Sequence, residues 1–312
     1  MNENVQNSSM HTEFHLLAFS RYDNVRLLIC ICILFMYFLC ILENVLVTII
    51  VYLTSHLHTP MYFFLCNLTV LDVIYVSAVL PKLIVITITG NTSISRAGCF
   101  TQVFLYVFCI GTEFFLLVCM AYDRYVAICI PLHYMHIMNH KSTLILAAFC
   151  CNLGGFNAMM YALLISKLSF SSSHEINHFF CHMKSILQLS CSDTSTIRIL
   201  ITVDGIVLGF LPFTFILISY IYIISTILKL HSDLRRRKAY SSCSSHLTVV
   251  LLFCLTSLSL NMKSETKFSQ EQDKILSMLY IAVTPTLNPL VYSLRNKDVL
   301  EAMKKRISAI KI

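Results

Sequence analysis

Four acidic side chains, Glu43, Asp72, Glu113 and Asp204, fall inside long apolar stretches of this 312-residue chain. An ionisable group in such a stretch is costly unless it finds a partner, so each one marks a functional position. At ~1.5 Å of rise per residue, Asp72 lies about 17 Å above Met61 at the start of its stretch, and Glu113 about 17 Å above Arg124. Asn44 comes to nearly the same level on the preceding stretch. Asn44, Asp72 and Glu113 therefore make a polar cluster that bonds helices together, holds a cation such as a sodium ion at Asp72 and Glu113, or keeps one carboxyl protonated. A second level lies nearer the other end. Tyr106, Asp204 and Tyr280 each fall about 10 Å below the ends of their stretches, where Val107, Ile110, Gly111, Leu208, Ser257 and Leu258 surround them as candidates to line a small-molecule cavity. The aliphatic members serve bundle packing equally well. Asp204 either meets a donor on a ligand or, protonated, bonds a neighbouring helix.

The elements that must position these groups are membrane-crossing helices. Hydrophobic residues make up 57% and charged residues 12% of the chain, with no Trp and only 7 Gly and 6 Pro to interrupt a helix. That excludes a disordered, collagen-like or disulfide-dense secreted chain. Ten-residue alternating segments, the mark of a membrane β-barrel, are absent. Seven apolar stretches, at about 27–54, 61–80, 99–126, 143–166, 197–228, 240–262 and 273–294, each reach the ~20 residues a crossing needs. The predicted fold is an all-α, seven-transmembrane helix bundle (27–294) behind an extracellular tail (1–26). The first crossing acts as an uncleaved insertion signal.

Orientation follows from the bases, of which there are 23 against 16 acids, a net +7. Arg124, Lys141, Lys229, Arg235 to Lys238, Arg295, Lys297, Lys304, Lys305, Arg306 and Lys311 fall on one side, opposed there only by Asp123, Asp233, Asp298 and Glu301. That side is cytoplasmic and the N-terminus is outside. Asn7-Ser8-Ser9 and Asn91-Thr92-Ser93 are glycosylation sequons that then face outward, Asn7 being the expected acceptor, while Asn67 is placed within the membrane. From 295 to 312, Val299, Met303, Ile307 and Ile310 recur at helical spacing among bases, the pattern of a short amphipathic helix on the inner leaflet.

Tyr106, Ile110, Glu113, Leu117 and Arg124 share one stripe of the third crossing. Around its end, the run from Met120 through Asp123-Arg124-Tyr125 to Cys129 resembles the signature of the odorant receptors, a family of rhodopsin-like G-protein-coupled receptors. Four further stretches are similar to that family in order and position: Pro60 to Asp72, Ser219-Tyr220, Lys238 to Leu247, and Pro285 to Asn296. The resemblance covers nearly the whole chain. It implies that Asp123-Arg124-Tyr125 restrains an inactive state, and that Tyr220, Tyr292 and the basic stretch Arg235 to Lys238 rearrange to admit a stimulatory G protein that raises cyclic AMP. Asn288 and Pro289 belong to the same machinery, Pro289 supplying a hinge in the last crossing. The implied partners are a small volatile odorant, a heterotrimeric G protein and membrane lipid. Nothing points to nucleic acid or to enzyme chemistry.

Of 14 cysteines, Cys99, Cys181 and Cys191 fall in external segments, where oxidation is feasible. The resemblance implies a disulfide between Cys99 and Cys181. Members of the family usually carry a second bridge in the same loop, but Ser171, Ser172 and Ser173 stand where its first cysteine belongs, so Cys191 is expected to be a free thiol. His178 and His182 flank Cys181 at a spacing that suits a metal, yet the bridge consumes the thiol and no metal site is expected. Glu43 replaces a glycine before Asn44, and Cys254-Leu255 replace a tyrosine-glycine pair after Phe253. The rival readings, a rhodopsin-like receptor for another ligand such as an amine, and a transporter or channel, lack respectively the wording of the second and sixth crossings and the broken helices or repeats they require.

Overall fold

The computed structural model describes residues 13–19, 25–170, 174–229, 232–261, 267–295 and 299–304. Seven long helices run back and forth: α1 (Arg26–Leu53), α2 (Pro60–Thr89), α3 (Arg96–Cys129), α4 (His140–Ser166), α5 (Ser195–Leu228), α6 (Asp233–Asn261) and α7 (267–295). Among the described residues, six of them carry enough apolar length to cross a bilayer by themselves. The seventh, α6, opens on Asp233 and the basic run Arg235 to Lys238 ahead of its apolar run. Large apolar side chains such as Leu27, Phe35, Phe38 and Leu42 point outward from α1. Such a surface is stable only in lipid, where helices satisfy every backbone group internally.

Local chemistry sets the helix ends. Pro60 opens α2 in the first turn, where its missing N–H costs nothing. Gly90 closes α2 with φ +75°, the left-handed conformation that a side chain disfavours. Ser95 caps α3 by accepting from Gly98 N at 3.1 Å, and Asn139 caps α4 by accepting from Ser142 N at 2.9 Å. The second crossing ends at Thr89 rather than near residue 80. Pro81 sits inside it and removes one backbone bond, but the flanking helices hold the segment in line.

The N-terminal tail adds a small sheet. Residues Glu13–Leu16 form a strand, β1, pairing antiparallel with β2 (Ser93–Ser95) and parallel with β3 (Glu175–Ile176). Phe14 and Leu16 are fully buried under this small sheet. Lys274 of α7 donates from Nζ to Ala18 O at 3.0 Å, tying the tail to the bundle. Past α7, residues 299–304 are helical with Val299 and Ala302 buried and Glu301 and Lys304 exposed. The rest of the 295–312 segment beyond 304, and Asn7 with its sequon, lie outside the described residues. Asn91 is exposed, its Oδ1 accepting from Ser93 N at 3.0 Å and Ser93 Oγ at 2.9 Å.

Candidate functional site

A cavity of about 160 Å³ opens among α3, α4, α5, α6 and α7 beneath the second external loop. From α3 it is lined by Tyr106, Val107, Ile110 and Gly111, from α5 by Asp204 and Leu208, and from α7 by Tyr280. Tyr106, Asp204 and Tyr280 are the three that helical rise brings to one level, and the other four are among the candidates around them. Ser257 and Leu258 belong to α6, but their side chains lie outside the described residues. Cys254, one turn earlier on α6, lines the cavity.

Two further elements, α4 and the second external loop, reach the cavity without being among the candidates that helical spacing picks out. Asn157 and Tyr161 line the cavity from one face of α4, four residues apart, and His182 and Lys184 roof it. The spacing of Asn157 and Tyr161 was a signal available within an otherwise apolar run. Their approach is set by a close helix crossing. Gly111 and Gly154 face one another, and a Cβ on Gly154 would come within 2.2 Å of Thr112 Oγ1 and 3.0 Å of Thr112 N. Small residues let two membrane helices pack backbone to backbone, and here they carry the α4 face to the cavity.

Two widened turns shape the far wall. Around Gly205–Phe210 in α5 and Leu279–Val283 in α7 the backbone shifts to five-residue hydrogen bonding, shown by Leu211 N donating to Ile206 O and Thr284 N to Leu279 O. Such bulges recur at functional sites because one extra residue per turn rotates the next side chains. Asp204 borders the first bulge and Tyr280 belongs to the second. No periodicity in the sequence betrays either.

The roof is held by covalent and polar contacts. Cys99 and Cys181 are bonded. Gln102 bridges two elements, donating from Nε2 to Ala78 O at 2.8 Å and accepting from Cys181 N at 2.8 Å. His178 is buried with its ring stacked on His182 at 4.9 Å between centroids. Burial, with His182 and Lys274 nearby, holds the His178 pKa well below the usual histidine value, and burial beside Lys184 pushes His182 down to about 4. Cys191 is an exposed free thiol.

Beneath the cavity, aromatic rings lead inward. Phe253 of α6 meets Phe114 edge-on at 4.6 Å and Tyr280 at 5.5 Å, while Tyr75 of α2 lies 5.7 Å from Tyr106 and 5.9 Å from Tyr280. Below them the carboxyls of Asp72 and Glu113 are neighbours, and Asn288 donates from Nδ2 to both Asp72 oxygens at 3.3 and 3.4 Å. Asn44 does not close this cluster as expected. Its Nδ2 donates to Pro285 O at 3.1 Å and Cys40 O at 2.9 Å, so α7 rather than Asp72 receives it. The reason is that backbone carbonyls near a proline lose their helical donor and accept a side chain instead. Glu43 is half-buried with Oε2 unpartnered.

At the cytoplasmic end Arg124 donates to Asp123 Oδ2 at 2.6 Å from Nη2 and 3.1 Å from Nε. Tyr220 OH and His246 Nδ1 are 2.6 Å apart and buried between α5 and α6. Tyr125 meets Tyr222 at 6.4 Å. Pro289 lies inside α7; the side chains of Tyr292, Arg235, Arg237 and Lys238 fall outside the described residues, and Arg236 pairs with Asp233 at 2.6 Å on the surface.

A family model described as olfactory receptor matches residues 32–309. The chain is 38% identical to olfactory receptor 2M4 of Homo sapiens over 98% of this chain and 99% of that protein. It is 43% identical to olfactory receptor 1468 of Rattus norvegicus over 89% and 88% of the two chains, and 42% identical to the human olfactory receptor 13F1 over 94% and 92%.

Proposed function

The chain belongs to the olfactory receptor family and is a multi-pass membrane protein; from that premise we propose that it binds a small volatile odorant in the α3–α7 cavity and activates a stimulatory olfactory G protein that raises cyclic AMP. One observation carries the reading. Cys254 lines the cavity and Phe253 touches the cavity residues Phe114 and Tyr280, while His246, seven residues earlier on the same α6 face, holds Tyr220 near the cytoplasmic side. A ligand that turns α6 at Phe253 thus also loads the Tyr220–His246 contact. The odorant needs only to favour one of two packings, in the second of which Arg124 leaves Asp123 and faces the G protein.

Asp72 and Glu113 fit into the same scheme. Two buried carboxylates in contact repel, so a positive charge or a shared proton lies between them. Hard oxygen donors suit a sodium ion. Replacing external and internal sodium with an organic cation changes odorant potency if the ion is used and leaves it unchanged if the pair shares a proton.

The test is a cyclic-AMP screen against a broad odorant panel in cells that co-express the olfactory G protein, with surface delivery measured on the same cells. At least one odorant should raise cyclic AMP, and Arg124→Ala should abolish that response at equal surface density, because alanine removes the guanidinium donors. Silence toward the whole panel from a well-delivered receptor counts against the reading.

A further inference from the structure

Resting on that receptor reading, we propose that the cavity selects a compact ligand bearing a hydroxyl group on an apolar body, with the hydroxyl seated between Asp204 and Tyr161. Three buried oxygens of the cavity wall lack a hydrogen-bond partner: Asp204 Oδ2, Tyr161 OH and Tyr280 OH. A buried polar atom left unpaired is costly, so three around one cavity mark a place where a ligand completes the bonding. Asp204 and Tyr161 come from different helices and both face the cavity, with Asp204 Oδ2 and Tyr161 OH each buried without a hydrogen-bond partner.

The chemistry of that pair picks out the ligand. A carboxylate only accepts, whereas a phenol donates as well as accepts. A hydroxyl between them donates to Asp204 Oδ2 and accepts from Tyr161 OH, using one oxygen to satisfy both. A bare hydrocarbon leaves both unpaired. An ammonium can donate to the carboxylate but cannot accept from the phenol, and it also meets Lys184 in the cavity roof. The rest of the wall, Val107, Ile110, Leu208 and Phe213 among it, suits an apolar body. Size follows from volume: a cavity of about 150 Å³ accommodates benzene, so ~160 Å³ admits a single ring or a short chain.

The experiment uses full-length purified receptor in lipid nanodiscs. Thermal stabilisation is titrated with two matched sets, toluene, benzyl alcohol and benzylamine, and hexane, 1-hexanol and hexylamine. Cyclic-AMP signalling is read separately in cells. In at least one set the alcohol should stabilise at a concentration at least about tenfold below its hydrocarbon and its amine, equivalent to roughly 1.4 kcal/mol. Tyr161→Phe and Asp204→Leu should each erase that preference while leaving the ligand-free melting temperature undiminished, since both oxygens are unpaired without ligand. Equal stabilisation by the hydrocarbons, preference for the amines, an unchanged preference in either variant, or no stabilisation by any of the six overturns the proposal. Alcohol binding without cyclic AMP would count against the signalling reading alone. Signalling by other odorants with no alcohol preference would overturn the ligand class and leave the receptor reading intact.

Discussion

Tyr134, in the short helix Tyr134–Ile137 after α3, donates to Asp123 Oδ1 at 2.8 Å, the oxygen opposite the one that binds Arg124. The cytoplasmic loop thus holds the same carboxylate that restrains the arginine. Asp123 is fully buried, so a partner lost from it is not replaced by water. Tyr134→Phe removes only the donor. It should loosen Asp123 and raise ligand-independent cyclic AMP severalfold, measured against surface density. Basal signalling equal to wild type would show that the loop has no part in the restraint.

The bridge between Cys99 and Cys181 anchors the roof of the cavity. Losing a bridge of this kind costs about 2 to 5 kcal/mol. Cys99→Ser and Cys181→Ser should each abolish surface delivery, whereas Cys191→Ser should be mild because its exposed thiol closes no loop. Impermeant thiol labelling of intact cells should modify Cys191 in wild type and fail in Cys191→Ser. Peptide mapping that finds Cys191 in a disulfide would refute this assignment.

Acidity should weaken the external cap. His178 and His182 have pKa values held below that of a free histidine, so the folded state binds fewer protons than the unfolded one as pH drops. Their stability contribution is complete above about pH 6.5 and is lost progressively as pH falls from there toward about 4, where His182 itself titrates in the fold. The charged groups facing them are Lys274 from α7 and Lys184 from the loop, and both oppose protonation further. The melting temperature of receptor in nanodiscs should be lower at pH 5 than at pH 7.5, and His178→Gln should flatten that slope. Identical pH profiles for wild type and His178→Gln would remove the histidine from the account.

Gly154→Ala should be disruptive and Gly155→Ala should not. The first Cβ meets Thr112 within 2.2 Å and the carbonyl of Phe108 at 3.1 Å, while the second has nothing nearer than Phe108 ring atoms at 3.9 Å. Overpacking of this kind costs roughly 1 to 3 kcal/mol. Reduced surface delivery and a lower melting temperature are expected for Gly154→Ala alone. Equal behaviour of the two variants would mean that the α3–α4 crossing does not depend on close backbone approach.

Much of the architecture was legible because a bilayer imposes a local rule. A helix long and apolar enough to cross declares itself within its own residues, as α1 to α5 do. The wording around Asp123-Arg124-Tyr125 and Pro285 to Asn296 was equally local. The strand Glu13–Leu16 was not, since its partners Ser93–Ser95 and Glu175–Ile176 lie far along the chain and a four-residue run has no periodicity of its own. Asn44 shows the same limit within the membrane: its depth was readable, but its acceptor on α7 was not.

By itself the sequence determined the seven crossings, the family, and the common depth of Tyr106, Asp204 and Tyr280, since all of these follow from order and spacing along one chain. Tertiary structure alone decided which faces meet. It brought Tyr161 beside Asp204 through the Gly111–Gly154 crossing, turned Asp204 and Tyr280 at widened turns, and laid His182 and Lys184 over the opening through the bonds of Cys181 and Gln102. The physical reason is that helix depth is a sum over consecutive residues. Helix rotation and spacing are instead set by contacts between residues far apart in the chain, where one methyl group or one extra residue per turn redirects a side chain.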